Sequence, residues 1–289
     1  GTVRTLGILT GGGDCPGLNA VIRAVVLTAE REGIRVQGIQ NAFSGLIHNQ
    51  FTELDSSKMD HLLQYGGTIL GSSNRDNPFQ FMMTIDGERR PVDVSETVMT
   101  NFRKSGLDGL IAIGGDGTLK ITHRLFQKGL PAICVPKSID NDLLATDVTF
   151  GFDTAVGVAT EAIDRIRTTA ESHGRLMVVE VMGRHAGWIA LHAGVAGGAD
   201  AILMPEIPYE LSRVAENIAA RERFGARFSI VVVAEGAAPK GGDISVVAPA
   251  MAGRLVRLGG LGAQVAASLE ELTGKEARSV VLGHLQRGG

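Results

Sequence analysis

Residues 3–20, VRTLGILTGGGDCPGLNA, carry the pattern that decides the expected fold. Residues 3–9 are an apolar run of strand length, and the glycines that follow end it. From Leu18 to Arg31 apolar residues recur at a helical spacing, so a helix is predicted there. A strand, a glycine loop and a helix in this order begin a βαβ unit.

A second stretch repeats the same order of elements. A strand is predicted at 110–113, GGDGT follows at 114–118, and a helix over 119–128 leads to a strand at 132–135. Two such units imply a parallel sheet. Ligands of open parallel sheets bind at the carboxyl ends of the strands, so we expect a site where the two glycine loops lie.

Length and composition favour an α/β protein with two domains. A chain of 289 residues is longer than one core comfortably fills. Hydrophobic residues make up 44% and aromatic residues 4%, which is typical of aliphatic interiors with helices packed on parallel strands. We therefore predict two domains, 1–149 and 150–289, each a mainly parallel sheet flanked by helices.

The second domain is expected to begin with a long helix over 153–170. In the first domain, the polar, turn-rich stretch 72–93 predicts a loop or small flap. The sequence stops at Gly288-Gly289 directly after a strand-like run, so we expect a truncated C-terminus with a tail near 287–289 that returns to the first domain. The other elements predicted for the second domain are strands at 176–181, 200–204, 228–233 and 279–282, and helices near 185–196, 209–222 and 250–272.

Charge and cysteine content exclude several classes of protein. A net charge of −3 and a pI near 6.2 give no general attraction to nucleic acid or to an anionic membrane. Cys15 and Cys134 match no metal-ligand spacing, so neither a disulfide framework nor a zinc site is predicted. The uncharged run 186–199 contains His192 and four glycines, which favours a buried helix over a membrane span. With no secretory signal visible, we expect a soluble cytoplasmic protein.

Each glycine loop is a candidate phosphate site. In the first, glycines allow an anion to approach the backbone, and the following helix offers unpaired N–H groups. It has neither the G-x-G-x-x-G spacing nor the Lys-Ser/Thr ending of a Walker A motif. In the second, Asp116 and Thr118 offer a carboxylate and a hydroxyl to a Mg²⁺–phosphate complex. Ordinary tight turns are the alternative for both loops, and GGDGT also occurs in NAD kinases and lipid kinases.

Two further groups of residues could act on an acceptor. In PKSIDND, residues 136–142, one of two carboxylates could take a proton from a hydroxyl while the other orients its neighbours. A solvated turn is the alternative for this loop. Basic side chains near predicted strand ends suit a phosphate dianion, although each alone is more often part of a surface ion pair. These basic residues are Arg175, Arg184, Arg278, His284 and Arg287.

Together these segments resemble the phosphofructokinase family. The resemblance is specific because eight motifs follow one another in that family's order. It implies a phosphofructokinase-like fold and transfer of the γ-phosphoryl group of ATP to the 1-hydroxyl of fructose 6-phosphate, with Mg²⁺. The motifs are TGGGDCPGLNA, YGGTILGSS, IGGDGT, VPKSIDND, GFDTA, EVMGRHAGW, AEG and LGHLQRGG.

The resemblance also implies roles for single residues. Asp140 is implied as the base that accepts the hydroxyl proton, and Asp116 as the Mg²⁺ ligand. Catalysis is further implied for Gly13, Lys137 and Arg184, donor binding for Gly13, Arg75, Asp116, Gly117 and Thr118, and acceptor binding for Ser138, Ile139, Asp140, Asp142, Met182, Gly183, Arg184, Glu235, His284 and Arg287.

Arg175 and Arg278 match arginines that reach the sugar phosphate from a neighbouring subunit. A homo-oligomer, dimer or tetramer, with shared active sites is therefore implied. Arg23 matches one arginine of the bacterial effector site, but Leu27 replaces the next, which leaves control by ADP or phosphoenolpyruvate open.

Three positions bear on the phosphoryl donor. Gly117 stands where pyrophosphate users carry an acidic residue that fills the space of the nucleotide α-phosphate, so ATP is favoured. Lys137 is typical of pyrophosphate users, and a pyrophosphate-dependent phosphofructokinase is the alternative. Ile121 stands where many ATP users carry glycine, and its side chain could crowd the adenine.

Other functions agree less well with the motifs. An NAD or lipid kinase would share GGDGT but would give no reason for PKSIDND. A catalytically silent nucleotide-binding regulator would be favoured if Asp116 or Asp140 were replaced, and both are present. A dinucleotide dehydrogenase would require the G-x-G-x-x-G spacing that the first loop lacks.

Overall fold

The computed structural model describes residues 2–248 and 257–289 and contains two compact units. The first unit is formed by residues 2–138, 143–151 and 289. The second is formed by the described parts of 139–142 and 152–288. Each unit has its own sheet and its own apolar core.

The first unit is built on a six-stranded sheet in the order β3-β2-β1-β6-β7-β8. All neighbouring strands in it are parallel except β3, which runs antiparallel to β2. Its elements are β1 (Thr5–Thr10), α1 (Leu18–Arg31), β2 (Arg35–Ile39), α2 (Phe43–His48), β3 (Phe51–Leu54), β4 (Phe81–Ile85), β5 (Glu88–Val92), α3 (Ser95–Lys104), β6 (Gly109–Gly114), α4 (Asp116–Gln127), β7 (Ala132–Ser138) and β8 (Phe150–Gly151).

The strand order places both glycine loops at a topological switch point. From β1 the chain continues through α1 to β2 on one side, and from β6 it continues through α4 to β7 on the other. β1 and β6 lie side by side with Thr10 opposite Ile113. Connections that diverge from two adjacent parallel strands leave a crevice at their carboxyl ends, which is where such sheets bind ligands.

The turn-rich stretch 72–93 contains more regular structure than a loop. β4 and β5 form an antiparallel hairpin within it. Asp86 and Gly87 join the strands with φ of 53° and 84°, as a two-residue turn with two left-handed positions requires. The five residues of β5 are mostly exposed, so they show no buried alternation that would predict a strand.

The second unit contains a four-stranded parallel sheet in the order β10-β11-β9-β14. All six residues of β9 and all six of β11 are buried, since helices cover both faces of such a sheet. Its elements are α5 (Phe152–His173), β9 (Leu176–Val181), α6 (Trp188–Ala196), β10 (Ala201–Leu203), α7 (Leu211–Arg223), β11 (Ser229–Ala234), β12 (Val246–Ala248), β13 (Arg257–Leu258), α8 (Leu261–Thr273) and β14 (Ala277–Val281).

The two faces of this sheet form separate clusters. Val179 and Val181 pack with α5 and α6, whereas Leu176 and Val178 pack with α7 and α8. Adjacent residues of a strand point to opposite faces, which explains the division. The predicted fold class, α/β with mainly parallel sheets flanked by helices, is confirmed.

Two predicted helices start later than expected. The helix predicted from 185 begins at Trp188, because the preceding residues form the loop after β9. The helix predicted from about 250 begins at Leu261; its first part falls on residues 249–256, which lie outside the described residues. Among the helices that the structure describes, none combines the length and apolar character that a membrane span requires.

Candidate active site

The first glycine loop is fixed from two sides. Gly11 N donates to the carbonyl oxygen of Ile113 on β6 (2.8 Å), and Gly12 N donates to that of Ser73 (3.1 Å). Gly12 has a φ of 79°, a conformation that glycine adopts without strain. The loop is therefore held against the end of β6 and against the segment that follows residue 65.

That segment, Tyr65–Ser73, runs across the start of α1 and the end of β1. Asn19 donates to the Tyr65 carbonyl (3.1 Å) and accepts from Ile69 N (2.9 Å). Thr10 Oγ1 lies 2.8 Å from Thr68 Oγ1 and 2.8 Å from the Gly71 carbonyl. Two buried polar side chains thus fix the path of the segment that leads to Arg75.

An open cavity of about 570 Å³ lies beside the first glycine loop, within the first unit. Its lining offers three hydroxyl groups and one guanidinium, which are donors suited to phosphate oxygens. Asp14 also lines it, so any anion bound there must lie toward the hydroxyls and the arginine. The lining residues are Gly12, Asp14, Thr68, Ser72, Ser73, Asn74 and Arg75.

Thr118 fills the space between the two glycine loops. A β-carbon on Gly11 would lie 2.5 Å from Thr118 Oγ1, and one on Gly114 would lie 2.4 Å from Thr118 Cβ. The threonine side chain is buried. Both positions therefore require glycine for packing, and Thr118 can offer a donor phosphate its backbone N–H more readily than its hydroxyl.

The start of α4 has the features of an anion site. α4 begins at Asp116, so the N–H groups of its first residues have no partner within the helix. The helix dipole favours negative charge at this end. A β-carbon on Gly117 would meet no atom within 4 Å, so space lies open beside the first turn.

Asp116 is the residue expected to hold Mg²⁺. Its exposed carboxylate forms an ion pair with Lys120 one turn later (2.7 Å). Within residues 2–248 and 257–289, no cluster of three or more His, Cys, Asp or Glu side chains could hold a metal by itself. A single exposed carboxylate beside an anion site fits Mg²⁺ that arrives with a nucleotide, because this ion is usually held by one or two carboxylates and substrate phosphates.

Lys137 belongs to the first glycine loop as much as to the loop after β7. Its side chain is buried, and Nζ donates to the Gly13 carbonyl oxygen. Nζ would also lie 3.4 Å from a β-carbon on Gly12. Reasoning from the sequence assigned Lys137 to catalysis and to donor type but missed this contact.

The rest of PKSIDND divides between the two units. Ser138 ends β7 in the first unit, and its carbonyl oxygen accepts from Thr149 Oγ1 (2.7 Å). Ile139, Asp140 and Asp142 belong to the second unit, where Ile139 packs against the core that includes α5 and α6. Asp140, the expected base, therefore comes directly after Ile139, which packs against the second core.

At the carboxyl edge of the second sheet, the structure brings three predicted residues together. Gly236 N donates to the Gly183 carbonyl (3.0 Å), and a β-carbon on Gly236 would lie 2.0 Å from the Arg184 carbonyl oxygen. Gly183 has a φ of 132°. The loops after β9 and β11 are thus in direct contact, so that Arg184 lies beside Glu235.

Burial raises the pKa of Glu235 above its ordinary value. The positive charge of Arg184 opposes that shift, and the negative charge of Glu180 adds to it. His284, in the 3₁₀ helix after β14, also acts on the Glu235 carboxyl and lowers its pKa. A half-buried carboxyl near an arginine and a histidine can form hydrogen bonds to sugar hydroxyls.

Glu180 is a neighbour that sequence reasoning missed. It is 2% exposed and accepts a hydrogen bond from Gly262 N at the start of α8 (2.7 Å). Glu180 is the first residue of the motif EVMGRHAGW, but its position within an apolar strand gave no reason to assign it a role. A carboxylate at a helix N-terminus is stabilised by the free N–H groups and the dipole.

Arg175 and Arg278 lie at the opposite, amino edge of the same sheet. Arg175 directly precedes β9, whereas Arg184 follows its end. Six residues of strand span about 20 Å. The structure therefore brings Arg175 and Arg278 together through Glu276, but it does not bring them to the Arg184 edge of their own sheet.

The family model described as Phosphofructokinase matches residues 5–289. "ATP-dependent 6-phosphofructokinase 2" of Clostridium perfringens is 52% identical over 99% of this chain and 80% of that protein. "ATP-dependent 6-phosphofructokinase" of Chloroflexus aurantiacus is 53% identical over 99% of the chain and 78% of that protein. "Pyrophosphate--fructose 6-phosphate 1-phosphotransferase" of Amycolatopsis methanolica is 52% identical over 98% and 80%.

Solved structures are similar as well. The phosphofructokinase from Saccharomyces cerevisiae has a TM-score of 0.81 at 31% identity, and the match covers 99% of this chain and 39% of that one. The pyrophosphate-dependent phosphofructokinase from Marinobacter aquaeolei has a TM-score of 0.78 at 25% identity, with 99% and 70% covered.

Proposed function

The chain belongs to the phosphofructokinase family, and we propose from this that it transfers the γ-phosphoryl group of ATP to the 1-hydroxyl of fructose 6-phosphate. The products are ADP and fructose 1,6-bisphosphate, a reaction of glycolysis. The family and the phosphotransferase activity predicted from the motifs are confirmed. A cytoplasmic location is part of the proposal and follows from the glycolytic reaction.

The open space beside Gly117 carries the assignment of ATP as donor. Relatives named as ATP-dependent, at 52% and 53% identity, support ATP as donor, and a relative named as pyrophosphate-dependent is 52% identical. Gly117 leaves room at the start of α4 where an acidic side chain would exclude the α-phosphate. Ile121 packs against the apolar core of the first unit, so its side chain is directed to the core and the expected crowding of adenine carries less weight.

Residues of the first unit bind the donor in this proposal. Backbone N–H groups at Gly13, Gly117 and Thr118 receive phosphate oxygens, and the Arg75 guanidinium neutralises their charge. Asp116 would hold Mg²⁺ in place of its exposed pair with Lys120, because exposed ion pairs are weak. Bound Mg²⁺ supplies charge neutralisation on the phosphates.

Residues of the second unit bind and activate the acceptor. Asp140 takes the proton of the 1-hydroxyl as its oxygen attacks the γ-phosphorus, and the bond to the β,γ-bridging oxygen breaks. Arg184 stabilises the charge on the transferring group. Ser138, at the end of β7, Ile139 and Asp142 bind the acceptor beside Asp140. Met182, Gly183, Glu235, His284 and Arg287 hold the sugar phosphate.

We propose that the active form is a homo-oligomer, a dimer or a tetramer, with shared sites. The separation of Arg175 and Arg278 from the Arg184 edge supports this. Arginines at the amino edge can serve a sugar phosphate if that phosphate is bound by a neighbouring subunit. A coupled assay that compares ATP with pyrophosphate, each with fructose 6-phosphate, tests the donor; turnover with pyrophosphate alone would overturn the assignment of ATP.

A further inference from the structure

Glu276 connects the two arginines at the amino edge of the second sheet. Arg175 Nε donates to Glu276 Oε2 (2.7 Å), and a terminal nitrogen of Arg278 donates to Glu276 Oε1. Each oxygen of one carboxylate is thus bound to a different guanidinium. Reasoning from the sequence did not single out Glu276.

The charge of this cluster is unbalanced. Two guanidinium groups face one carboxylate, so the cluster has a net positive charge even if the neighbouring His173 is neutral. The hydrogen bond from Arg175 lowers the pKa of Glu276, with further lowering from the charges of Arg278 and His173. The carboxylate is ionised at neutral pH and binds groups that also suit a phosphate.

We propose that Glu276 is a positioning residue that occupies Arg175 and Arg278 until the sugar phosphate displaces it. The inference rests on the proposed function, which assigns both arginines to that phosphate. In this arrangement Glu276 prevents the two guanidinium groups from repelling each other, and it competes with the ligand. It therefore raises the KM for fructose 6-phosphate above the value that the arginines alone would give.

The surroundings allow such an exchange. The backbone of this region is held by the bonds from Leu176 N to the Glu276 carbonyl (3.0 Å) and from Ala277 N to Glu270 (2.8 Å). The Glu276 side chain is 43% exposed and Arg278 is 53% exposed. Arg175 is 28% exposed, so both pairs reach solvent. Rotation of the side chains is therefore enough to open them, and ion pairs at such positions are weak enough to be replaced by a dianion.

Glu276→Gln tests the proposal because it removes the charge and keeps the length and the hydrogen-bonding oxygen. We expect the KM for fructose 6-phosphate to fall about three- to tenfold while kcat changes less than about twofold. Glu276→Asp keeps the charge and should keep the KM within about twofold of wild type. A purely structural link between β9 and β14 would instead give a higher KM or a lower Tm without a gain in affinity.

Glu210 provides a matched control in the same unit. Its carboxylate is also shared by two cations, Lys240 at 3.1 Å and Arg213 at 3.8 Å. Glu210→Gln should leave the KM unchanged. An unchanged or raised KM in Glu276→Gln, or an equal fall in Glu276→Asp or Glu210→Gln, would overturn the proposal.

Arg175→Ala distinguishes failure of the inference about Glu276 from failure of the proposed function of the arginines. If Arg175→Ala raises the KM and Glu276→Gln does not lower it, the inference fails and the proposed function stands. If neither Arg175→Ala nor Arg278→Ala raises the KM, the arginines do not bind the sugar phosphate, and both the inference and their assignment fail.

Discussion

Lys137 and Gly13 are joined by a hydrogen bond from Nζ to the carbonyl oxygen, although they lie 124 positions apart in the sequence. The lysine is 5% exposed, and burial of an ammonium group is costly unless it is well hydrogen-bonded. The contact couples the first glycine loop to the end of β7, directly before the residues proposed to act on the acceptor.

Lys137→Met should impair use of the donor, because it removes the cation and keeps an apolar stem of similar size. We expect kcat/KM for ATP to fall about ten- to hundredfold, since hydrogen bonds from charged groups contribute roughly 1.5–3 kcal/mol. Steady-state kinetics measure this. Lys128→Met removes an exposed lysine that is paired with Glu96 and should retain wild-type activity. Equal losses of kcat/KM in the two variants would show that Lys137 has no specific role in the use of the donor.

Asp140→Asn should lower kcat by about 10²- to 10⁴-fold with little change in KM, the range expected for loss of a general base. The measurement is the steady-state rate with saturating ATP and fructose 6-phosphate. Asp147→Asn changes an exposed aspartate in a nearby loop and serves as the control. Near-normal turnover of Asp140→Asn would reject Asp140 as the base.

Gly117→Asp should weaken binding of ATP far more than binding of pyrophosphate. The new carboxylate enters space that is open in the structure, where it would meet the α-phosphate by contact and by like charge. Gly117→Ala adds only a β-carbon with no atom within 4 Å, so it should keep the KM for ATP close to wild type. Competition measurements give the affinity of the variant for ATP and for pyrophosphate separately. Equal losses of affinity for the two would argue against the assignment of ATP.

Glu235→Gln should change how stability depends on pH. Burial raises the folded-state pKa of Glu235, so its contribution to stability is present below the unfolded pKa and is lost as pH rises through the folded one. Because glutamine resembles the protonated carboxyl, the Tm of the variant should exceed that of wild type at about pH 7 and converge with it near about pH 4.

Glu276→Gln should change the Tm at neutral pH in the opposite direction. The pKa of Glu276 is lowered by Arg175, so its stabilising effect is present above the unfolded pKa and is lost as pH falls through the folded one. The Tm of this variant should lie below wild type at about pH 7 and converge with it in acid. The same sign of difference for both variants would show that burial does not govern Glu235.

Mixing two impaired variants, assayed at a low concentration of fructose 6-phosphate, tests the shared site. Asp140→Asn and Arg175→Ala, combined under conditions of subunit exchange, should recover part of the activity. In a mixed interface one site carries both lesions and the other carries neither. If native mass measurement detects mixed oligomers and no activity returns, Arg175 serves its own subunit.

Regular elements were predictable wherever local spacing and end signals agreed. α1 and β9 begin and end at the predicted residues, because apolar side chains recur at a helical spacing in α1 and form an almost continuous run in β9. The hairpin of β4 and β5 was predicted as a loop or flap, since strands exposed on both faces have no buried period. The spacing of apolar residues does not predict a strand whose side chains are exposed.

The site was predictable in its motifs and not in its distant contacts. The two glycine loops are local features, and their position beside each other follows from the order of two parallel strands. The contact of Arg175 with Glu276 depends on the register of β14 against β9, in which Ala277 pairs with Leu176. No spacing in the sequence specifies that register, so Glu276 was missed.

The order of segments in the two units limits how the gene can be divided. Residues 139–142 belong to the second unit although residues 143–151 return to the first. A fragment that ends at residue 151 therefore carries Ile139 without the core against which it packs, and a fragment that starts at 152 lacks that side chain. During synthesis, residues 139–142 leave the ribosome before α5 and the rest of the second unit. Neither fragment should therefore form the second core as it is in the intact chain.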